Sequence, residues 1–354
     1  MKSPVGGQIA RARIMRIGVD AMGGDFAPGV VVEGVSQALI DFPHVNIVLA
    51  GHRDRVNFYL EKYGIAGHPN LEVVHAPSVC EMSEPSAVSL RAKRDSSITM
   101  LAKMLKSKEI DAMATPGHTG ATVAATKVLV RTLPGVDRPA LGASMPAKEG
   151  RFLLMDAGAN TDCQVHNMVQ FALMGEVYAR YLYHKERPRV GLLSVGGEDI
   201  KGCELTKETF KRLEQLPINF VGNVEANTAF EGACDVLVSD GFSGNVMLKC
   251  AEGLARSTGY WLKQVLTKSA ARVVGAALAK NAFAELKAYG SSDVIGGAPL
   301  LGVNGICIIG HGGSNPVAVR NAIRVSAECV EFGLNQRIVA AIEEAGDLAK
   351  ENAN

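Results

Sequence analysis

One local pattern recurs along this chain and leaves few folds open to it. An apolar run of strand length ends in a tight loop rich in Gly, Asp or Asn, and helical periodicity follows. It appears first where Ile17-Gly18-Val19 runs into Asp20-Ala21-Met22-Gly23-Gly24-Asp25 and, after Pro28, into Val30-Val31-Val32 and on to Leu39-Ile40. It returns at Ala114–Gly120, Met155–Asn160, Ser194–Asp199, Ser239–Asn245 and Gly310–Asn315. Ligands of open α/β sheets bind beyond the carboxyl ends of the strands. Paired glycines let backbone approach a ligand without a Cβ in the way. The plainer reading of each loop is a βα turn with a helix cap. Recurrence favours the first reading: in a parallel sheet all these loops lie at one edge and build one glycine-lined crevice.

Strand-like runs fall at 14–20, 45–50, 71–75, 110–115, 151–156, 189–195, 218–222, 234–239 and 303–310. They are rich in Val, Ile and Leu without polar alternation, as in strands buried on both faces. Helical spacing fills 29–41, 52–63, 97–107, 119–131, 165–184, 204–215, 243–266 and 315–345. This alternation predicts an α/β fold: a three-layer α/β/α arrangement on a mostly parallel, doubly wound, Rossmann-like sheet. With no linker of Pro, Gly and Ser, residues 14–345 are expected to form one domain. Residues 1–13, which lack a long apolar core, are expected to be a flexible extension, and 346–354 a loose tail.

The chain has 354 residues, 47% of them apolar and 21% charged, enough for a large core. Its net charge of +1 offers no field for nucleic acid. Seven cysteines at no metal-ligand or CxxC spacing suggest free thiols in a reducing cytoplasm. No apolar run approaches the roughly 20 residues of a membrane-spanning helix. No Gly-Lys pair is present, hence no Walker loop, and neither H-E-x-x-H nor G-x-S-x-G occurs. No cofactor and no metal are expected.

Two stretches break the alternation. Residues 76–96 form an excursion ending in Arg91, Lys93 and Arg94, either a lid or a solvated turn. Residues 262–289 read as a basic amphipathic excursion in which Lys263, Lys268, Arg272, Lys280 and Lys287 stand against Glu285. Such a helix lies on an anionic membrane, docks on an acidic partner, or packs on the core or a second subunit.

The loops supply the candidate site. Gly117, Thr119 and Gly120 open a helix whose N–H groups and dipole attract an anion. His118 either caps that helix or binds phosphate and moves a proton. Ser243, Asn245 and Lys249 begin another helix, with Asn245 and Lys249 on one face. Such a pair suits an oxyanion or a phosphate, or else a cap and a solvent lysine. Asn304 precedes an apolar strand; His311, Ser314 and Asn315 follow it, with Ser314 or Asn315 expected to cap the next helix.

Taken together, these motifs carry a resemblance. The set Val19-Asp20-Ala21-Met22-Gly23-Gly24-Asp25, Asp156-Ala157-Gly158-Ala159-Asn160 with Asp162-Cys163, Gln170-Phe171-Ala172, Asp240–Asn245 and Gly297–Gly305 closely resembles the bacterial phosphate acyltransferases, from about Ile14 to Gly333. Those enzymes are acyl-[acyl-carrier-protein]:phosphate transacylases of phospholipid synthesis. The resemblance implies transfer of a long-chain acyl group from acyl carrier protein to inorganic phosphate. The acyl phosphate product then serves glycerol-3-phosphate acyltransferase. It also implies a cytoplasmic homodimer that touches the inner face of the membrane peripherally. Where the family usually has Asn in the loop after Gly117, this chain has His118, and Ser239 and Ser243 replace the usual Cys and Thr.

On this reading Asn245, Lys249 and His118 are the catalytic candidates. Asp20, Gly23, Gly24, Asp25, Gly117, Thr119, Gly120, Asp156, Asn160, Ser243, Asn304, His311, Ser314 and Asn315 surround the substrate. Asp20 and Asp25 would repel phosphate unless they orient Lys, Asn or backbone N–H groups. Arg91, Lys93 and Arg94 are expected to dock the acidic carrier. Two rivals stay open: a nicotinamide-dependent oxidoreductase, and a non-catalytic acyl-carrier-binding scaffold on the membrane.

Overall fold

The computed structural model describes residues 14–80, 93–290 and 295–350, with only the backbone of 287–290. The expected extension at 1–13, the docking residue Arg91 and the segment 351–354 lie outside the described residues.

Eleven strands form one sheet in the order β3-β2-β1-β4-β11-β10-β5-β6-β9-β7-β8. One block comprises β1 (Met15–Asp20), β2 (Val45–Gly51), β3 (Leu71–His75), β4 (Ala112–Thr115) and β11 (Ile306–Ile309), all parallel. A second block holds β6 (Arg151–Met155), β7 (Arg189–Leu193), β8 (Asn219–Val224) and β9 (Val236–Val238), also parallel to one another. Between the blocks run β5 (Ala140–Pro146) and β10 (Ala298–Leu301). The contacts β11–β10, β10–β5 and β5–β6 are all antiparallel.

Three successive reversals set the blocks in opposite directions. The recurring loops therefore do not share one edge, as a uniformly parallel sheet requires. Register shows what happens instead: Met155 at the end of β6 pairs with Gly142, and Leu141 pairs with Leu300. Pro299 in turn pairs with Ile308 near the end of β11. The carboxyl ends of the two blocks thus meet from opposite sides at the seam. The sequence pattern misses both seam strands. Ala140-Leu141-Gly142-Ala143-Ser144-Met145-Pro146 is poor in β-branched residues, and β10 has four residues including a proline.

Helices cover both faces. One core layer joins α1 (Gly29–Asp41), α2 (Arg53–Lys62), α5 (Val165–Leu182), α6 (Glu204–Leu213), α11 (Pro316–Glu331) and α12 (Leu334–Ala345) to the sheet. The other joins α3 (Ser97–Lys106), α4 (Thr119–Ala125), α7 (Ala226–Glu231) and the start of α8 (Gly241–Leu266). The central strand β2 is sealed on both sides, Ile47 and Leu49 buried in one layer and Val48 and Ala50 in the other, each large side chain contributing roughly 1.5–3 kcal/mol. The packing is close: a Cβ on Gly18 would meet Leu101 and Ile110 at 2.6 Å.

The apolar spacing over 315–345 is interrupted at Gly333, whose φ of 60° ends α11. Past Ala345 the expected loose tail is instead ordered through Lys350. Residues Gly346–Ala349 form a 3-10 turn in which Ala349 is buried. Gln170 Nε2 donates to Ala349 O at 2.8 Å, and Arg212 Nη1 to Lys350 O at 3.1 Å. Buried carbonyls need such donors, which is why the segment stays docked.

The basic excursion is helical as expected, but divided. The long helix α8 is followed by α9 (Ala270–Leu278) and α10 (Lys280–Gly290). In α8 the buried residues are Gly241, Gly244 and Met247, all near its start, and α9 buries none. No described helix is long and apolar enough to cross a membrane.

Candidate active site at the seam

Each block ends in an aspartate that ties its loop. At the tip of β1, Asp20 is 1% exposed; Oδ1 accepts from Met22 N at 3.0 Å and Oδ2 from Thr115 Oγ1 at 2.8 Å. Burial pushes its carboxyl up, and the Ser97 and Thr115 hydroxyls with the Met22 and Gly23 N–H groups pull it partly back. The loop is tight: a Cβ on Gly23 would lie 2.7 Å from Asp20 Oδ2 and 3.0 Å from Gly117 Cα. Gly24 (φ 92°) has room only for a hydrogen, against Gly312 O and Pro116 O at 2.9 Å from any Cβ. Asp25 N donates to Gly312 O at 2.8 Å. So the loops after β1, β4 and β11 are bound together.

At the tip of β6, Asp156 is wholly buried. Its Oδ1 accepts from Leu141 N, Gly158 N and Ala159 N; its Oδ2 accepts from Asn160 N at 2.7 Å and Asn160 Nδ2 at 2.9 Å. Asn160 O receives Gly241 N. Burial raises the Asp156 carboxyl while these N–H groups lower it. The net direction is up, and the five partners that its two oxygens have are all N–H donors, a set that suits the carboxylate form. This second knot fixes the start of α8. There Asp240 Oδ1 accepts from Phe242 N and Ser243 N at 2.9 Å.

Between the knots lies a cleft of about 320 Å³. The first block brings Pro116, Thr119, His311 and Ser314 to its lining, and the second brings Gly158, Asn245, Lys249 and Glu252. Asn245, Lys249 and Glu252 follow helical spacing on one face of α8. Lys249 Nζ lies 3.0 Å from Glu252 Oε2. Apart from Ser144 on β5, the remaining lining is apolar or glycine, mostly from the seam strands, β11 and α11.

Of the residues picked from the sequence, Thr119, Asn245, Lys249, His311 and Ser314 meet in this cleft. Others stand behind it as scaffold. Besides Asp20, Gly23, Gly24, Asp25, Gly117, Asp156 and Asn160, Gly120 sits in the first turn of α4, and Asn315 caps α11 by accepting from Ala318 N at 2.9 Å. His118 Nδ1 accepts from Ala121 N at 3.2 Å, so it caps α4. His118 borders a separate cavity of about 60 Å³ with Asp20, Gly24 and Cys80. Ser243 faces the groove along the α8–α10 arm. Asn304 precedes β11, at the end of that strand away from His311, where its N donates to Arg131 O.

For anion binding the two helix starts differ. In α8 the first N–H groups are already used by Asn160 O and Asp240, so side chains, not backbone, must serve a ligand there. Lys93 Nζ donates to Val79 O at 2.6 Å, whereas Arg94 is exposed. Cys163 donates to Asn160 O, and burial pushes its thiol up to about 11, far from a thiolate nucleophile.

Sequence reasoning missed the seam residues Leu141, Ala143, Ser144, Ile295 and Gly296, and took Gly297 and Ala298 only as part of the family motif; they line the cleft through pairings distant in sequence. Glu252 was legible, at helical spacing from Asn245 and Lys249.

Residues 15–337 match the family described as "Fatty acid synthesis protein". A phosphate acyltransferase of Acidobacterium capsulatum is 44% identical over 324 residues, covering 92% of this chain and 96% of that one. One from Akkermansia muciniphila is 43% identical over 341 residues, covering 94% and 97%. Among solved structures, a phosphotransacetylase from Streptococcus pyogenes is 15% identical with a TM-score of 0.62, covering 90% of this chain and 94% of that one. A branched-chain phosphotransacylase from Enterococcus faecalis is 12% identical, with a TM-score of 0.55 and coverage of 89% and 99%. The likeness to these structures is one of fold. By its sequence relatives, the chain belongs to the bacterial phosphate acyltransferase family and is an acyltransferase.

Proposed function

We propose that the cleft transfers a long-chain acyl group from the thioester of acyl carrier protein to inorganic phosphate, releasing acyl phosphate and free carrier thiol. The observation that carries this reading is the gathering of Asn245 and Lys249 from one block with Thr119, His311 and Ser314 from the other around one cleft whose further lining, Glu252 and Ser144 apart, is apolar. A thioester is already activated, so a phosphate oxygen attacks the carbonyl carbon and the carbon–sulfur bond breaks. Lys249 and Thr119 hold the phosphate beside the carbonyl, and Asn245 donates to the tetrahedral oxyanion. No enzyme nucleophile is needed, in keeping with the raised Cys163 thiol. The acyl phosphate is then the donor for glycerol-3-phosphate acylation.

The test is phosphate-dependent loss of acyl thioester, with the product trapped as hydroxamate. Lys249→Ala is expected to lower turnover about 10²–10³-fold while the fold is kept. Thioester loss that ignores phosphate, or a fully active Lys249→Ala, overturns the reading.

The arm supports the homodimer and peripheral membrane contact that the family resemblance implies. Leu254, Tyr260 and Trp261 are 63%, 62% and 58% exposed, and Leu278 is 85% exposed. An apolar groove of about 1410 Å³ runs beneath α8. Lys263, Lys268, Arg272 and Lys280 are exposed along the arm and give the acidic carrier a basic face, and Arg94 is a further exposed basic side chain. Sedimentation velocity is expected to show a dimer that Leu254→Asp weakens; a monomeric wild type removes this role for the arm.

A further inference from the structure

The acyl-transfer reading leaves open where the chain of the donor goes, and the cleft has one apolar direction. Away from Asn245 and Lys249 its lining comes from the seam strands and α11. Its floor there is made of small residues, Ala143 on β5 with Ala318 and Ala322 on α11, each under a tenth exposed. Glycines close it from the side: at Gly296 (φ 92°) a Cβ would lie 2.4 Å from Asn321 O, so backbone itself forms that wall. Ile295 lines this cleft and also a second cavity of about 390 Å³. The second cavity follows α11 at Val325; its aliphatic and aromatic side, Val325, Leu182, Tyr178 and Tyr183, suits methylenes, while Arg151, Lys185, Arg324 and Glu328 make the rest of its lining charged. From Ala318 to Glu328 the helix rises about 15 Å, which matches the reach of an extended long chain.

We infer that the acyl chain lies along α11 over Ala318 and Ala322, with Ile295 as the gate between cleft and second cavity, so that these residues set the acyl-chain length the enzyme accepts. This rests on the acyl-transfer reading. Small side chains on the floor leave room for methylenes, and one large residue there takes the place of several. A pocket discriminates by tens of fold for each methylene it excludes.

The experiment compares acyl thioesters from butyryl to palmitoyl with wild type, Ala322→Leu, Ala322→Val and Ile295→Ala, in the presence of phosphate. Ala322→Leu is expected to lower kcat/KM for palmitoyl at least about tenfold and to leave butyryl within about threefold. Ala322→Val gives the smaller effect in the same direction and guards against a misfolded Leu variant. Ile295→Ala is expected to raise long-chain against short-chain activity. An unchanged chain-length profile in folded variants overturns the inference and moves the chain to the groove along α8. An equal fall for all lengths in Ala322→Val also overturns it. If wild type transfers no acyl group to phosphate from any donor, it is the acyl-transfer reading that fails.

Discussion

Asp20 and Asp156 end strands in opposite blocks and do the same work with different chemistry. Each is buried, and each gathers the loop that follows it. Asp20 takes two of its partners from hydroxyls, Ser97 and Thr115, which can turn and accept as readily as they donate. Asp156 takes only N–H groups, which cannot. The first knot therefore tolerates a change in its proton inventory and the second does not. A strand that ends in Asp-Ala and runs into a glycine-bearing loop looks alike in sequence at both places, yet only the neighbours show which carboxylate is replaceable.

The largest effect expected follows from this difference. Asp156→Asn places an NH2 against N–H donors whichever way the amide turns, leaving buried groups unpaired. It is expected to cost about 3–5 kcal/mol in chemical denaturation, against about 1 kcal/mol or less for Asp20→Asn, where a hydroxyl reverses to accept. Equal costs at the two sites would break the comparison.

A second contrast concerns glycine. A Cβ on Gly244 would sit 2.0 Å from Asp156 O, a backbone atom, whereas one on Gly23 meets first the side-chain Oδ2 of Asp20 at 2.7 Å. Gly244→Ala is expected to lose about 2–3 kcal/mol and Gly23→Ala about 1 kcal/mol by thermal unfolding, because a side chain gives way more easily than a strand end.

The smallest effect is in the pH dependence. Burial holds the folded Asp20 carboxyl above its ordinary value. Protonation therefore favours the folded state. That contribution is complete below the unfolded value near ~3.9 and is lost as pH rises through the raised folded value. Asp20→Asn has no proton to lose. Its stability relative to wild type is expected to improve as pH rises from about 4 to about 8, and a difference independent of pH would refute the role given to burial.

The arm makes a further contrast with the body. Up to Met247, α8 is anchored by the Asp156 knot; beyond it, apolar side chains such as Trp261 and Leu278 stand in solvent. Spacing in the sequence shows an amphipathic helix in both parts. What it cannot show is that the body covers only the first of them.

Much of this protein was written locally in its chain. Strands such as Val45–Gly51 declare themselves because residues buried on both faces must all be apolar. Asp240 and Asn315 announce helix starts because free N–H groups need a short acceptor. The motif residues Thr119, Asn245, His311 and Ser314 were legible because each sits at or near the passage from strand to helix, and Lys249 because it lies one turn beyond Asn245 on the same face. The meeting of those loops was settled only in three dimensions. Strand direction depends on pairing partners far apart along the chain, Leu300 with Leu141 and Gly142 with Met155. These bring in β5 and β10, whose small or few residues carry little periodic signal. Their reversals turn one block against the other, and that opposition, which no local pattern encodes, makes a cleft where a single parallel edge was expected.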